Sequence, residues 1–310
     1  MARRRKGLPI HGWINLDKPA DVTSTQAVGR IKRLFNAAKV GHGGTLDPLA
    51  TGILPIALGE ATKTVAYAMD GEKEYTFTIN FGSETDTGDR EGTVTDESEK
   101  RPTDADITAV LPRFTGEIDQ IPPRFSAIKV QGERAYDLAR DGADFDLEPR
   151  RVTVFGLSLE ARPDPDHAAI RCRTGKGVYI RSLARDIARA LGTVGHVSEL
   201  RRTMVGPFSE KNAISLDNLE ALGHSAPDSG HLLPVETALA DIPALALTEP
   251  EARRLAQGQA VAALPVASRS PFKDISQGDV VSAMFGERLV ALAEIRGGEI
   301  RPIRVLNLDG

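Results

Sequence analysis

Cysteine is almost absent, with a single residue, Cys172, in 310. An intramolecular disulfide framework is therefore excluded, and the composition suits a reducing compartment. Long hydrophobic runs are missing too. No stretch of about 18 apolar residues occurs, and the basic start MARRRKGLPIHGW lacks the apolar core of a secretory signal. The expected location is the cytoplasm, with no membrane attachment. The six histidines are scattered, with no HExxH and no Cys–His cluster, so no zinc ligand set is expected. GHGGT is not followed by the Gly-Lys-Ser/Thr of a phosphate-binding loop, and no GxSxG marks a hydrolase nucleophile.

What is present is an ordinary globular composition, 41% hydrophobic and 26% charged, in a chain long enough for about two domains. No internal repeat is visible. The formal charge of −4 argues against a polyanionic partner, but its distribution argues for one. Residues 1–40 hold nine bases (Arg3, Arg4, Arg5 and Lys6 among them) against two acids. Residues 171–202 hold eight bases against two acids, whereas residues 70–120 hold fourteen acids and five bases. A polyanion responds to the local field rather than to the sum.

The pattern predicts a helix over Val22–Asn36, started by Thr and Ser caps, and a short strand at Ile53–Leu58. Glu60–Met69 is expected to turn helical. Lys73–Phe81 alternates as a half-buried strand, with Tyr75, Phe77, Ile79 and Phe81 on one face. Strands are expected at Val152–Leu159 and Ala169–Arg173. Val178–Leu191 reads as an amphipathic helix, with Arg181, Arg185 and Arg189 repeating beside its apolar stripe. Gln120–Gly142 has no period and reads as a mobile excursion. After a linker containing HSAPDSG, a capped helix ending at Gly258 and the strands VVSAMFG and ERLVALAEI suggest a small β domain. The class expected is α+β.

Within GHGGTLDPLATG (Gly41–Gly52), the one acid is Asp47. An aspartate before proline commonly caps its own turn. The other reading makes it a base or nucleophile, with an arginine of Val178–Leu191 as its cationic neighbour and the glycines admitting a bulky ligand.

GHGGTLDPLATGILPIALGEATK (Gly41–Lys63) resembles the signature of the TruB family of tRNA pseudouridine synthases. LDKPADVTS (Leu16–Ser24) resembles that family's first motif, and KEYTFTINFGSETDTGDREG its central strand and acidic loop. PPRFSAIKVQGERAYDLARDG resembles its thumb-like insertion, and GKGVYIRSLARDIARALG and HVSELRRTMVGPF its later motifs. Two departures stand out: Gly43 where threonine is frequent, and Asp21 where glycine is frequent.

The resemblance implies a pseudouridine synthase fold with a mixed, largely antiparallel central sheet flanked by helices. It implies a catalytic domain over 1–237, with an insertion at about 122–150, and a PUA-like RNA-binding β domain over 238–310. It implies isomerisation of uridine 55 in the tRNA T loop, without cofactor or metal, by a monomer needing no protein partner. Asp47 then takes the catalytic carboxylate position, attacking the ribose or drawing a proton from C2′, with the family leaning to the latter. Tyr75 takes the position that stacks on the base, and Arg181 pairs the aspartate. His42, Tyr179, Leu200, Lys18, Gly43 and Gly44 are expected to contact substrate. The target base must leave its stack to reach such a site. The two basic regions would meet phosphates, and Arg124, Lys129 and Arg134 of the insertion would clamp the RNA.

Overall fold

Two strands of different texture organise the fold. In Lys73–Phe81 the alternation holds: Tyr75, Phe77, Ile79 and Phe81 are buried, while Glu74, Thr76, Thr78 and Asn80 lie half exposed. Thr51–Leu58 reads TGILPIAL with no alternation because both its faces are covered. Leu54, Ile56 and Leu58 pack into one core with Ile31 and Phe35, whereas Ile53 and Ala57 pack into a second with Trp13 and Phe208. The structure, a computed structural model, describes residues 7–126, 128–130, 132–143, 145–270 and 276–308.

Both strands belong to one mixed sheet. Its main path runs Ile214–Ser215, Gly12–Lys18, Thr51–Leu58, Gly195–Val205, Lys73–Phe81, His167–Thr174, Arg150–Asp164 and Gly116–Gln120. Neighbours along this path are antiparallel at all but two contacts, so the sheet is mixed and largely antiparallel, as expected. One of the two parallel contacts is very short: Arg201 sits opposite Thr51, and Arg202 opposite Gly52. That contact is a seam. On one side lies the strand that follows Asp47, and on the other Gly195–Val205, which pairs in turn with the strand that carries Tyr75.

The two longest helices cover one face. Ser24–Leu34 begins at a capping box between Thr23 and Gln26 and buries Ala27 and Ile31. Ile180–Ala190 buries Ile180, Leu183, Ala184, Ile187 and Ala188. Both helices are shorter than the periodic segments that predicted them, because the end residues act as caps. Gly59–Lys63 is a 3₁₀ turn and Val65–Asp70 a short α-helix.

The carboxy-terminal region forms its own five-stranded sheet, in the order Ala244–Ala246, Val280–Phe285, Arg288–Arg296, Glu299–Val305 and Val261–Ala262. It includes the two strands that were expected and three that were too short or too polar to show a pattern. The helix Glu249–Ala256 starts at a Thr248–Glu251 capping box. Leu289, Leu292 and Leu306 join the core of Trp13, Phe208 and Val235, so the two regions share apolar packing. Lys63 Nζ donates to the Val305 carbonyl (2.7 Å), and the Asn307 amide donates to Glu60 Oε2 (2.8 Å).

Two expectations are corrected. HSAPDSG is not a linker: Gly223–Asp228 is a 3₁₀ turn with Ala226 buried in the helix-side core. The strand Leu232–Leu233 after it still pairs with Trp13 and Ile14. Its Ser, Pro and Gly content came from turn geometry, not from flexibility. The second correction concerns the basic run 171–202, whose charge is answered inside the fold. Arg171 pairs with Glu74 and Glu160, Arg173 with Glu72, and Lys176 with Asp70. Arg189 pairs with Glu84, and Arg201 with Asp17 and Glu210. Strand pairing lays part of the acid-rich segment beside this run, so a strip that reads as basic in sequence is not a bare cationic surface.

Of the insertion, the strands Lys129–Val130 and Glu133–Arg134 and the helix Ala135–Arg140 are described. The side chains of Lys129 and Arg134 lie outside the described residues, as do Arg3, Arg4, Arg5 and Lys6. Arg124 Nη2 donates to the Ala143 carbonyl (2.8 Å), and its guanidinium lies over the Phe145 ring.

Candidate active site

The Asp47 loop is held by its backbone. The Gly44 and Thr45 carbonyls accept from Arg202 (2.9 and 3.4 Å). Ser24 Oγ donates to the Leu46 carbonyl (3.0 Å) and accepts from the Leu46 amide (2.9 Å). The Asp47 carbonyl accepts from the Ala50 amide (3.1 Å), closing the turn. The Pro48 carbonyl accepts from Lys18 Nζ (3.2 Å) and from the Asp21 amide (2.9 Å). Every carbonyl from 44 to 48 therefore has a donor, and three of those donors come from distant side chains. Asp21, which stands where the family favours glycine, sits at φ +60°, in the left-handed region.

Among the described contacts the Asp47 carboxylate faces a buried arginine rather than an amide of its own turn. Its Oδ2 lies 2.9 Å from Arg181 Nε, with the Asp47 side chain 34% exposed and that of Arg181 only 6%. Arg181 was expected beside the apolar stripe of its helix; it is buried, because four separate groups take its guanidinium. Nη1 donates to the Thr87 carbonyl (2.8 Å) and lies 3.6 Å from Asp89 Oδ2, and Nη2 donates to the Phe125 carbonyl (2.9 Å). Asp89 is itself buried and accepts from Thr87 Oγ1 (2.7 Å) and the Glu91 amide (3.1 Å). The acidic loop thus supplies a buried counter-charge. Asp89 was missed, and TDTGDREG was the only signal for it.

Asp47, Arg181, Tyr75, Tyr179, Leu200 and Gly44 line one cavity of about 450 Å³, with Lys73 and Arg202. That volume falls within the roughly 300–1,000 Å³ of small-molecule sites. Size alone does not select it: a hollow of about 670 Å³ over Leu111, Pro112 and Leu159 is larger but carries no titratable group. Tyr75 and Leu200 are mostly buried and present apolar surface. Burial pushes the Tyr179 phenol above its ordinary range, so its hydroxyl keeps its proton at neutral pH. The Tyr179 backbone is clamped by Gln120, which accepts from its amide (2.8 Å) and donates to its carbonyl (3.1 Å).

Three expected residues do not reach this cavity. Lys18 is fully buried and spends its ammonium on the carbonyls of Pro19 (2.8 Å), Val22 (2.7 Å) and Pro48. Burial pulls it down to about 8. His42 lies on the short strand Val40–His42, where burial and then Arg202 depress its pKa, and its Nδ1 has no partner. Gly43 packs against Ala68 and Pro55, and a Cβ there would meet the Ala68 Cβ at 3.2 Å. Among the described residues, no group of three or more His, Cys, Asp or Glu could hold a metal ion.

The geometry can therefore present one carboxylate, oriented by a buried arginine, to a flat ring against Tyr75 and Leu200. Known proteins share this chain's sequence closely. The profile of the TruB family pseudouridylate synthase N-terminal domain matches residues 32–180, and that of the tRNA pseudouridylate synthase B C-terminal domain matches 181–240. The chain is 58% identical to tRNA pseudouridine synthase B of Rhodospirillum rubrum, over 99% of this chain and all of that one. It is equally similar to the protein of that name from Caulobacter vibrioides. Among solved structures, a Cbf5–Nop10–Gar1 complex matches with TM-score 0.74 and 30% identity, over 95% of this chain and 84% of that one. An H/ACA ribonucleoprotein bound to a substrate RNA containing 2′-deoxyuridine matches with TM-score 0.74 and 26% identity, over 99% and 92%. A carboxylate loop, its arginine and a whole-length likeness agree, and the chain belongs to the TruB family of pseudouridylate synthases.

Proposed function

We propose that this protein isomerises uridine to pseudouridine in tRNA, at position 55 of the T loop. The observation that carries the reading is the Asp47 carboxylate, open to the cavity and paired at 2.9 Å with a buried arginine. The net reaction is redox-neutral: the N1–C1′ bond breaks, a C5–C1′ bond forms, C5 loses a proton and N1 gains one. Asp47 stands where a carboxylate can act on the ribose, either at C1′ or on the C2′ proton. Tyr75 and Leu200 would hold the ring between apolar surfaces while it turns, and Tyr179 would offer a hydroxyl donor to its edge.

The substrate would enter with its base flipped out of the stack. The glycine-rich loop gives RNA backbone close access to protein backbone. Residues 1–237 would form the catalytic domain, and 238–310 a PUA-like module for the rest of the RNA. Lys18 and Gly43 would act from beneath the loop rather than on the substrate, and His42 from its flank. The enzyme would work alone in the cytoplasm. The solved relatives that belong to multi-protein particles favour a guide-RNA-dependent reading, but they share 26–30% identity against 58% for the tRNA-acting relatives.

The test is a single-turnover assay on a T-arm transcript labelled at C5, with purified wild-type protein and Asp47→Ala. Label release by the wild type, and none by the variant at undiminished RNA binding, is expected. Retained turnover in the variant, or dependence on added proteins, would overturn the reading. Released uracil would indicate a hydrolytic nucleosidase instead.

A further inference from the structure

Arg202 belongs to neither the expected site nor the pair that faces the substrate, yet it touches both halves of the active site. Its backbone lies at the seam of the sheet, opposite Gly52 on one side and Tyr75 on the other. Its side chain, in a residue only 2% exposed, reaches back under the Asp47 loop. There Nε donates to the Ile53 carbonyl (2.8 Å), Nη2 to the Gly44 carbonyl (2.9 Å) and Nη1 to the Thr45 carbonyl (3.4 Å). One guanidinium thus bridges the start of the loop and the strand that leaves it.

Two glycines of the signature are explained by this residue. Gly44 adopts φ +118°, a left-handed conformation, with its carbonyl on the guanidinium. Gly52 packs so tightly that a Cβ there would fall 2.2 Å from the Arg202 carbonyl oxygen. No carboxylate pairs with Arg202 among the described ion pairs, so the buried charge is met by carbonyl dipoles.

We propose that Arg202 is a positioning residue for catalysis. It hangs the Asp47 loop from the strand that is paired to Tyr75, and so sets the carboxylate against the ring wall. The inference rests on the reading of Asp47 as the catalytic carboxylate. The Asp47 loop is also tied to the Tyr75 half of the sheet by the Asp47–Arg181 pair, by the apolar core that Leu46 and Leu49 share with Tyr75, and by the short backbone seam. Among the described side chains, though, Arg202 is the one that holds the loop carbonyls from that strand. A lysine at 202 keeps the charge but cannot reach three carbonyls in a fixed fork. A displacement of about 1 Å in a catalytic group costs on the order of 100-fold in rate.

The experiment compares Arg202→Lys, Arg202→Ala and wild type on the T-arm transcript. It measures single-turnover rate, RNA affinity and thermal melting, with and without millimolar guanidinium. The proposal expects Arg202→Lys to be folded, to bind RNA within threefold of wild type, and to react about 100-fold more slowly. It expects guanidinium to raise the Arg202→Ala rate at least tenfold while leaving Asp47→Ala inert. A rate for Arg202→Lys within threefold of wild type overturns it. So does parallel loss of binding and rate without guanidinium rescue, or failure of both variants to fold, since either would make the role one of general stability. If wild type itself gives no product, the reading of Asp47 fails first.

Discussion

Arg181 and Asp47 form an asymmetric pair: the guanidinium is buried and fully engaged, while the carboxylate it orients stays open to the cavity. A cation fastened by two carbonyls and a second acid has little freedom to follow its partner. Asp47 is aimed, and Arg181 is the fixed reference.

Asp89 sits behind that reference, and its loss is expected to act through it. Asp89→Asn keeps the shape but removes the counter-charge, and single-turnover rate should fall by about 10-fold with RNA affinity unchanged. Arg181→Ala leaves Asp89 buried without a cation, at a cost of roughly 3 kcal/mol or more in stability. Calorimetry and a double-variant cycle check both. If the two effects simply add, Asp89 does not work through Arg181.

Lys18 leads to a pH prediction. Burial holds Lys18 and Lys73 at about 8, against 10.5 ordinarily. Between about pH 8 and 10 the unfolded chain keeps protons that the folded chain has released, so stability rises with pH in that window. The Asp47 loop responds the other way. A neutral Lys18 has two N–H donors for three carbonyls, and the Pro48 contact, the longest at 3.2 Å, is the one expected to go. The turnover rate should therefore decline from pH 7.5 to 9 while the melting temperature does not. Lys18→Arg, which keeps its proton, should flatten that limb; a wild-type profile level to pH 9 would contradict the idea.

The glycines should differ sharply in tolerance. Gly52→Ala drives a Cβ onto backbone and is expected to cost about 3 kcal/mol or more. Gly43→Ala needs only a few tenths of an ångström of give from Ala68 and should cost under about 1 kcal/mol. Asp21→Gly relieves a left-handed residue and should be neutral or stabilising by up to about 1 kcal/mol. Denaturant midpoints of the three variants, compared at constant slope, give the order.

The docked carboxy-terminal sheet yields a fourth prediction. Lys63→Met strips a donor from the Val305 carbonyl and a partner from Glu60, at about 1–2 kcal/mol. Because Leu289, Leu292 and Leu306 complete the core around Trp13, wild type should melt in one transition, and a chain ending at 240 should aggregate. Two well-separated transitions in the calorimeter would show the regions to be independent.

Legibility followed periodicity. Lys73–Phe81 and Ile180–Ala190 were readable because each covers one face only, so burial imprints a regular alternation on the residues. Ala244–Ala246 and Val261–Ala262 were not, since two or three residues carry no period. The HSAPDSG turn misled because the composition of a packed turn matches that of a loose one. In the site, Asp47, Tyr75 and Arg181 were marked by the resemblance, whereas Asp89 and Arg202 looked like ordinary charges.

Local chemistry along the chain determined the capped helices, the half-buried strand and the turn that isolates one carboxylate, because those depend on neighbours within a few residues. Which charges meet was decided only by the fold. Asp47 and Arg181 are brought together through a seam two residue pairs long, and Arg202 passes beneath the loop because Gly52 lets the strands close up. The basic run of residues 171–202 lost its apparent freedom for the same reason: strand register sets acids beside it. Register and burial are properties of pairs far apart in sequence, and no window along the chain contains them.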